Sequence, residues 1–120
     1  MQPDLRILAF DTAAAHCAAA LLRSGAIAAQ RHEPMDTGQA ERLMPMLEEM
    51  LADAGLGWGD LDALAVGTSP GNFTGVRLAV AAARGLSLSL GIPAIGVTAL
   101  EAAAFALPRP VLAALDARRG

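Results

Sequence analysis

Two aspartates close apolar runs in this 120-residue chain, Asp11 after LRILAF and Asp116 after PVLAAL. Carboxylates gathered at strand ends can hold a divalent cation for phosphoryl transfer, which makes a metal-dependent phosphoryl-transfer or nucleotide-binding enzyme one reading. Nucleases of that kind gather three or four acids, however, and strand-end aspartates also serve as turn and cap residues. A second candidate is GTSPGNFTGVR, from Gly67 to Arg77, where a strand end meets a helix start. Backbone N–H groups at a positive helix end form a general anion site. The spacing fits neither of the common phosphate-loop patterns, so the local reading is a tight corner whose glycines serve turn geometry and whose Ser, Asn and Thr cap the helix. The third candidate is Cys17 with His32. A hairpin turning at Ser24 and Gly25 sets them opposite each other, within reach of a thiolate–imidazole contact, but without a third ligand Cys17 reads more simply as a small buried hydrophobe.

Composition removes several chemistries. All nine cationic residues are arginine, so Schiff bases, ammonium bases and a phosphate-loop lysine are excluded. A net charge of -3 argues against an electrostatically driven nucleic-acid binder. Hydrophobic residues at 54% and charged residues at 18% describe a globular chain with a real core. One cysteine and no charged-then-apolar leader lead to the expectation of a reducing cytoplasm, and Arg77 and Arg84 interrupt the best candidate for a membrane span.

These residues must be positioned by alternating elements. LRILAF reads as a buried first strand, and CAAALLR and AIAAQRH as a hairpin around Ser24 and Gly25. A helix follows over Gln39–Leu56, then the strand DALAVG, a helix over Phe73–Leu90, the strand PAIGV, the helix TALEAAAFAL and a final apolar strand PVLAALD. Three antiparallel strands thus precede helical crossovers, which predicts a mixed five-stranded sheet with helices on both faces: a ribonuclease H-like α/β lobe in β-β-β-α-β-α-β-α order. We expect that lobe to occupy residues 1–108 and a second, truncated lobe to begin at 109–120.

Two helices carry more apolar surface than one sheet needs. The first places Leu43, Leu47, Met50, Leu51 and Ala54 on one face and adds Met44 and Met46, an arc of about 160° against the ~100° that packing requires. Pro45 is expected to bend it. The second has Val76, Ala79, Val80 and Ala83 on one side and Leu78, Ala82 and Leu88 on the other, with Arg77 and Arg84 on one stripe. The expectation is a shared docking face made by Leu43, Met44, Met46, Leu47, Met50, Arg77, Val80 and Arg84, which charged residues at Met46 and Val80 would abolish without unfolding the chain.

ILAFDTAAAHCAAALL, the run from GQAERLMPMLEEM through PGNFTGVR to GVTALEA, and ALDARRG together resemble the TsaB (YeaZ) family in order and spacing. The most specific piece is the loop Pro70, Gly71, Asn72, Phe73, Thr74 and Gly75. The resemblance implies a lobe of the actin-like ATPase superfamily, which acts as a non-catalytic subunit. Its implied partners are the catalytic subunit TsaD, which threonylcarbamoylates an adenosine beside the anticodon of tRNA, and the ATPase TsaE. Homodimerisation is the alternative use of the same face, and tRNA contact is expected only through the complex. No cofactor or metal is expected: the stretch from Gly38 reads GQAER, without the paired histidines of metal-bearing relatives, and DTAAAHC has alanines where actin-like ATPases use glycine and lysine. Gln39 stands where the family often shows histidine. The family's glycoprotease-like label raises a peptidase reading, for which no nucleophile–base pair or zinc motif is evident.

Overall fold

The computed structural model describes residues 4–12, 16–69 and 73–98. Their order is β1 (Arg6–Asp11), β2 (His16–Arg23), β3 (Ala26–Pro34), α1 (Gln39–Asp53), a 3-10 turn (Trp58–Asp60), β4 (Ala63–Ser69), α2 (Phe73–Leu90) and β5 (Ala94–Thr98). The strands form one mixed sheet in the order β3-β2-β1-β4-β5. β1 runs antiparallel to β2 and parallel to β4, β2 antiparallel to β3, and β4 parallel to β5. The predicted arrangement of the five strands is therefore present. The helix expected at TALEAAAFAL and the strand at PVLAALD lie outside the described residues.

Strand alternation divides the apolar residues between two sheet faces. Leu8, Phe10, Cys17, Leu21, Leu64 and Val66 face the larger core, which also takes Leu43, Met46, Leu47, Met50 and Leu51 from α1 and Ala79 and Ala83 from α2. Both described helices therefore pack on the same face. The other face carries a smaller cluster of Ile7, Leu22, Ala63, Ala65 and Val97. Burying a leucine or methionine side chain contributes roughly 1.5–3 kcal/mol, so the first face carries most of the fold's apolar stabilisation.

Local signals explain the boundaries. Ser24 and Gly25 both take positive φ, the geometry of a primed hairpin turn, and the Ser24 hydroxyl donates to Asp4 at 2.7 Å. α1 stops three residues before the expected Leu56. Gly55 is left-handed at φ 73°, its N–H donates to the Ala52 carbonyl, and the Leu56 N–H donates to Leu51 at 2.9 Å. That is a Schellman closure, which returns Leu56 toward the core. At the start of α1, the Gln39 side-chain amide donates to the Met35 carbonyl at 3.3 Å. Pro45 does not interrupt the helix, and it lies on the exposed side, where solvent can satisfy the Glu41 carbonyl that loses its donor.

The hairpin register corrects one expectation. Leu22 pairs with Ile27 but Leu21 with Ala29, so a bulge at Ala28 advances every later pair and sets Cys17 opposite Glu33 instead of His32. Cys17 points into the core with no exposed surface, while His32 is exposed on the opposite sheet face. Burial is the main force pushing the Cys17 thiol upward, and the charge of Glu33 adds to it, so the thiolate needed for reactivity is disfavoured.

Candidate docking surface

The carboxyl ends of β1 and β4 bring several candidate residues together. Asp11 closes β1 with its carboxylate directly over Gly67: a Cβ at Gly67 would lie 2.5 Å from the Asp11 Cγ and 2.8 Å from both oxygens. Glycine is needed there for that approach. The Thr12 hydroxyl, fully buried, donates to the Gly75 carbonyl at 2.6 Å and ties the end of β1 to the first turn of α2. The His16 Nε2 lies 3.8 Å from Asp11 Oδ2, and its ring stands 4.9 Å from that of His32. Among the described residues, no group of three or more His, Cys, Asp or Glu side chains is arranged to hold a metal ion. Pro70, Gly71, Asn72 and Asp116 lie outside the described residues, and Phe73 and Thr74 begin α2.

This close packing gives a stability prediction. Gly67→Ala is expected to cost ~1–3 kcal/mol because the new methyl displaces the Asp11 carboxylate. Asp11→Ala in the same chain removes the obstructing atoms and should recover most of that loss in urea unfolding. A Gly67→Ala chain that is no more stable with Asp11→Ala than without it would show that the clash is not the cause.

The helices are less available than their sequence implied. Leu43, Met46, Leu47 and Met50 are 0–1% exposed and belong to this chain's own core. The wide arc of α1 is consumed by a single core that also takes side chains from the sheet and from α2. Of the expected α1 contacts, Met44 alone reaches the surface, at 36% exposure, beside exposed Glu41, Pro45 and Glu48. On α2, Arg77 and Arg84 are exposed and Val80 is half-buried. Leu88, counted in the sequence only as part of the second apolar side, is 86% exposed. It lies four residues beyond Arg84 and eleven beyond Arg77, hence on their stripe, and that spacing was the signal for it. Exposed Ala81, four residues after Arg77, and Gly85, three before Leu88, keep the surface beside that stripe low.

Charge fixes α1 against the edge strand. Arg42 grips Glu33 with Nε and Nη2, at 2.8 and 2.9 Å, and its Nη1 and Nη2 reach Glu49 at 2.9 and 3.0 Å. Arg31 of β3 donates to Glu49 and to Asp53. The hydrogen bonds from Arg42 and then Arg31 hold the Glu49 carboxyl down at about 2, and those from Arg42 lower Glu33. Both carboxyls titrate lower in the folded chain than their ordinary 4.5, so their contribution is complete above that value and is lost as pH falls toward about 2. All these groups are solvent-screened, and the effect is a slope, not a collapse. The urea midpoint should fall between pH 5 and 2 more steeply in the native chain than in Arg42→Met, as read by the fluorescence of Trp58, the one tryptophan. Equal slopes would remove the network from the account.

Comparison with known proteins bears on the family and the fold. The family model described as TsaD, tRNA N6-adenosine threonylcarbamoyltransferase, matches residues 14–120. The chain is 40% identical to the tRNA threonylcarbamoyladenosine biosynthesis protein TsaB of Escherichia coli (strain K12), over 97% of this chain and 52% of that protein. With TsaB of Haemophilus influenzae the identity is 41%, over 96% and 50%. YeaZ from Pseudomonas aeruginosa superposes with a TM-score of 0.77 at 37% identity, covering 81% of this chain and 45% of that structure. The chain spans about half the length of the curated relatives it matches. Its mixed sheet and helices are those of an actin-like, ribonuclease H-like α/β lobe, and the chain belongs to the TsaB (YeaZ) family.

Proposed function

We propose that this chain is the amino-terminal lobe of an assembly subunit for tRNA threonylcarbamoylation, which binds the catalytic threonylcarbamoyltransferase and performs no turnover alone. Residues 1–108 form that lobe, and 109–120 begin a second. The docking face consists of the outward sides of α1 and α2, reduced from the original eight residues to Met44, Arg77, Val80 and Arg84 with Leu88 added. One observation carries the reading: an almost fully exposed leucine on the stripe of Arg84, beside a low surface of small residues, in a chain 40% identical to a protein named for threonylcarbamoyladenosine biosynthesis. A low surface lets another helix approach closely, and apolar area buried there contributes ~25 cal/mol per Å² before the cost of association.

The absence of independent catalysis is supported by the alanines of DTAAAHC, which neither approach nor neutralise a phosphate as glycine and lysine do. The ATPase TsaE joins the same assembly, a second copy of the chain is the competing occupant of the face, and tRNA is met through the complex. The setting is the cytoplasm. No helix among the described residues is long and apolar enough to cross a membrane.

Mixing the purified chain with the catalytic subunit of its own organism and weighing the product by light scattering tests this. The expected result is a stoichiometric heteromeric complex and no modification of tRNA by the chain alone. Two species that remain separate at micromolar concentration, or turnover without the partner, would reject the reading.

A further inference from the structure

We infer that Met44 is a site of reversible peroxide oxidation that weakens docking of the partner, an inference that rests on the reading just given. α1 carries three methionines in different surroundings: Met46 and Met50 are 0% and 1% exposed, whereas Met44 is 36% exposed on the outward face. Met35 is half-buried, packed against the core. Thioether oxidation follows access of the oxidant to sulfur, so one position of the helix reacts while its neighbours are shielded. In the step, a sulfur lone pair attacks one oxygen of hydrogen peroxide. An S–O bond forms, the O–O bond breaks, and the displaced hydroxide leaves with its electrons and takes the proton of the attacked oxygen, giving water and the sulfoxide. The methionine is oxidised to the sulfoxide and the peroxide is reduced.

The surroundings of Met44 explain why the sulfoxide opposes docking. Its new oxygen is a strong hydrogen-bond acceptor that supplies no donor. The exposed side chains nearest it along the outward stripe, Glu41 and Glu48, are also acceptors when ionised. Arg42, the one cation of α1, is engaged with Glu33 and Glu49. A partner covering Met44 would thus bury an oxygen for which this helix offers no proton, and an unpaired buried acceptor is costly. The sulfoxide remains reducible, so the effect can be reversed.

The folded chain is treated with hydrogen peroxide, its methionines are mapped by peptide mass spectrometry, and its affinity for the catalytic subunit is then measured. Met44 should oxidise at least roughly tenfold faster than Met46 and Met50. The oxidised chain should bind at least roughly tenfold more weakly than the untreated chain, while peroxide treatment should leave Met44→Leu within about twofold of that variant's own untreated affinity, whatever that is, and reduction of the sulfoxide restores binding in the native chain. Equal oxidation of all three α1 methionines in the folded chain, unchanged affinity after oxidation, or equal loss in Met44→Leu would each overturn the inference while leaving the docking reading intact. Failure of the untreated chain to bind would instead reject the docking reading, and the regulatory consequence with it.

Discussion

Met46→Asp is expected to unfold the chain. Met46 has no exposed surface and sits with Leu43, Leu47 and Met50 in the core that α1 shares with the sheet. An isolated carboxylate placed there loses its hydration, finds no counter-charge, and leaves the space of the thioether unfilled. Substitutions that bury an unpaired charge are among the few that exceed about 4–5 kcal/mol, comparable to the whole stability of many domains. Circular dichroism and the Trp58 emission should show loss of cooperative unfolding, whereas Met46→Leu, which nearly conserves volume, should cost less than about 1.5 kcal/mol. A folded Met46→Asp chain that merely fails to bind a partner would return Met46 to the surface and contradict the packing described for α1.

The second large effect concerns binding. Met44→Glu combined with Leu88→Glu should leave unfolding essentially unchanged, because both side chains are exposed, and should reduce affinity for the catalytic subunit at least roughly 100-fold. The first change adds a third acid beside Glu41 and Glu48, and the second removes the most exposed apolar side chain of α2 and sets a carboxylate near Arg84. Arg84→Glu alone should weaken the complex less and mainly alter its salt dependence, as rim charges do. Retained affinity in the double variant, with unfolding unchanged, would remove the outward faces of α1 and α2 from the docking surface.

Much of this architecture was legible in the residues. Ser24–Gly25 between alternating apolar runs has one common structural solution, and helix-length segments between strands supply the crossovers that the parallel pairs β1–β4 and β4–β5 require. Two features were not legible, for physical reasons. The bulge at Ala28 leaves no signature in AIAAQRH, yet it shifts the pairing by one residue and moves Cys17 away from His32. The apolar arc of α1 measures how much surface is buried but not by what. Leu43, Met46, Leu47 and Met50 are covered within the chain itself, whereas Leu88 on the less amphipathic α2 is left in solvent. The approach of Asp11 to Gly67 and the Thr12–Gly75 hydrogen bond join residues more than fifty positions apart, and nothing in either segment announces its partner.

Hydrogen exchange of the chain, free and bound to the catalytic subunit, addresses the central claim most directly. Docking on the outward faces of the two helices predicts slowed exchange in the peptides covering Gln39–Asp53 and Phe73–Leu90, with the edge strand Ala26–Pro34 unchanged. Protection confined to Ala26–Pro34 or Ala94–Thr98, with both helices exchanging as they do in the free chain, would place the partner on a sheet edge and contradict the account.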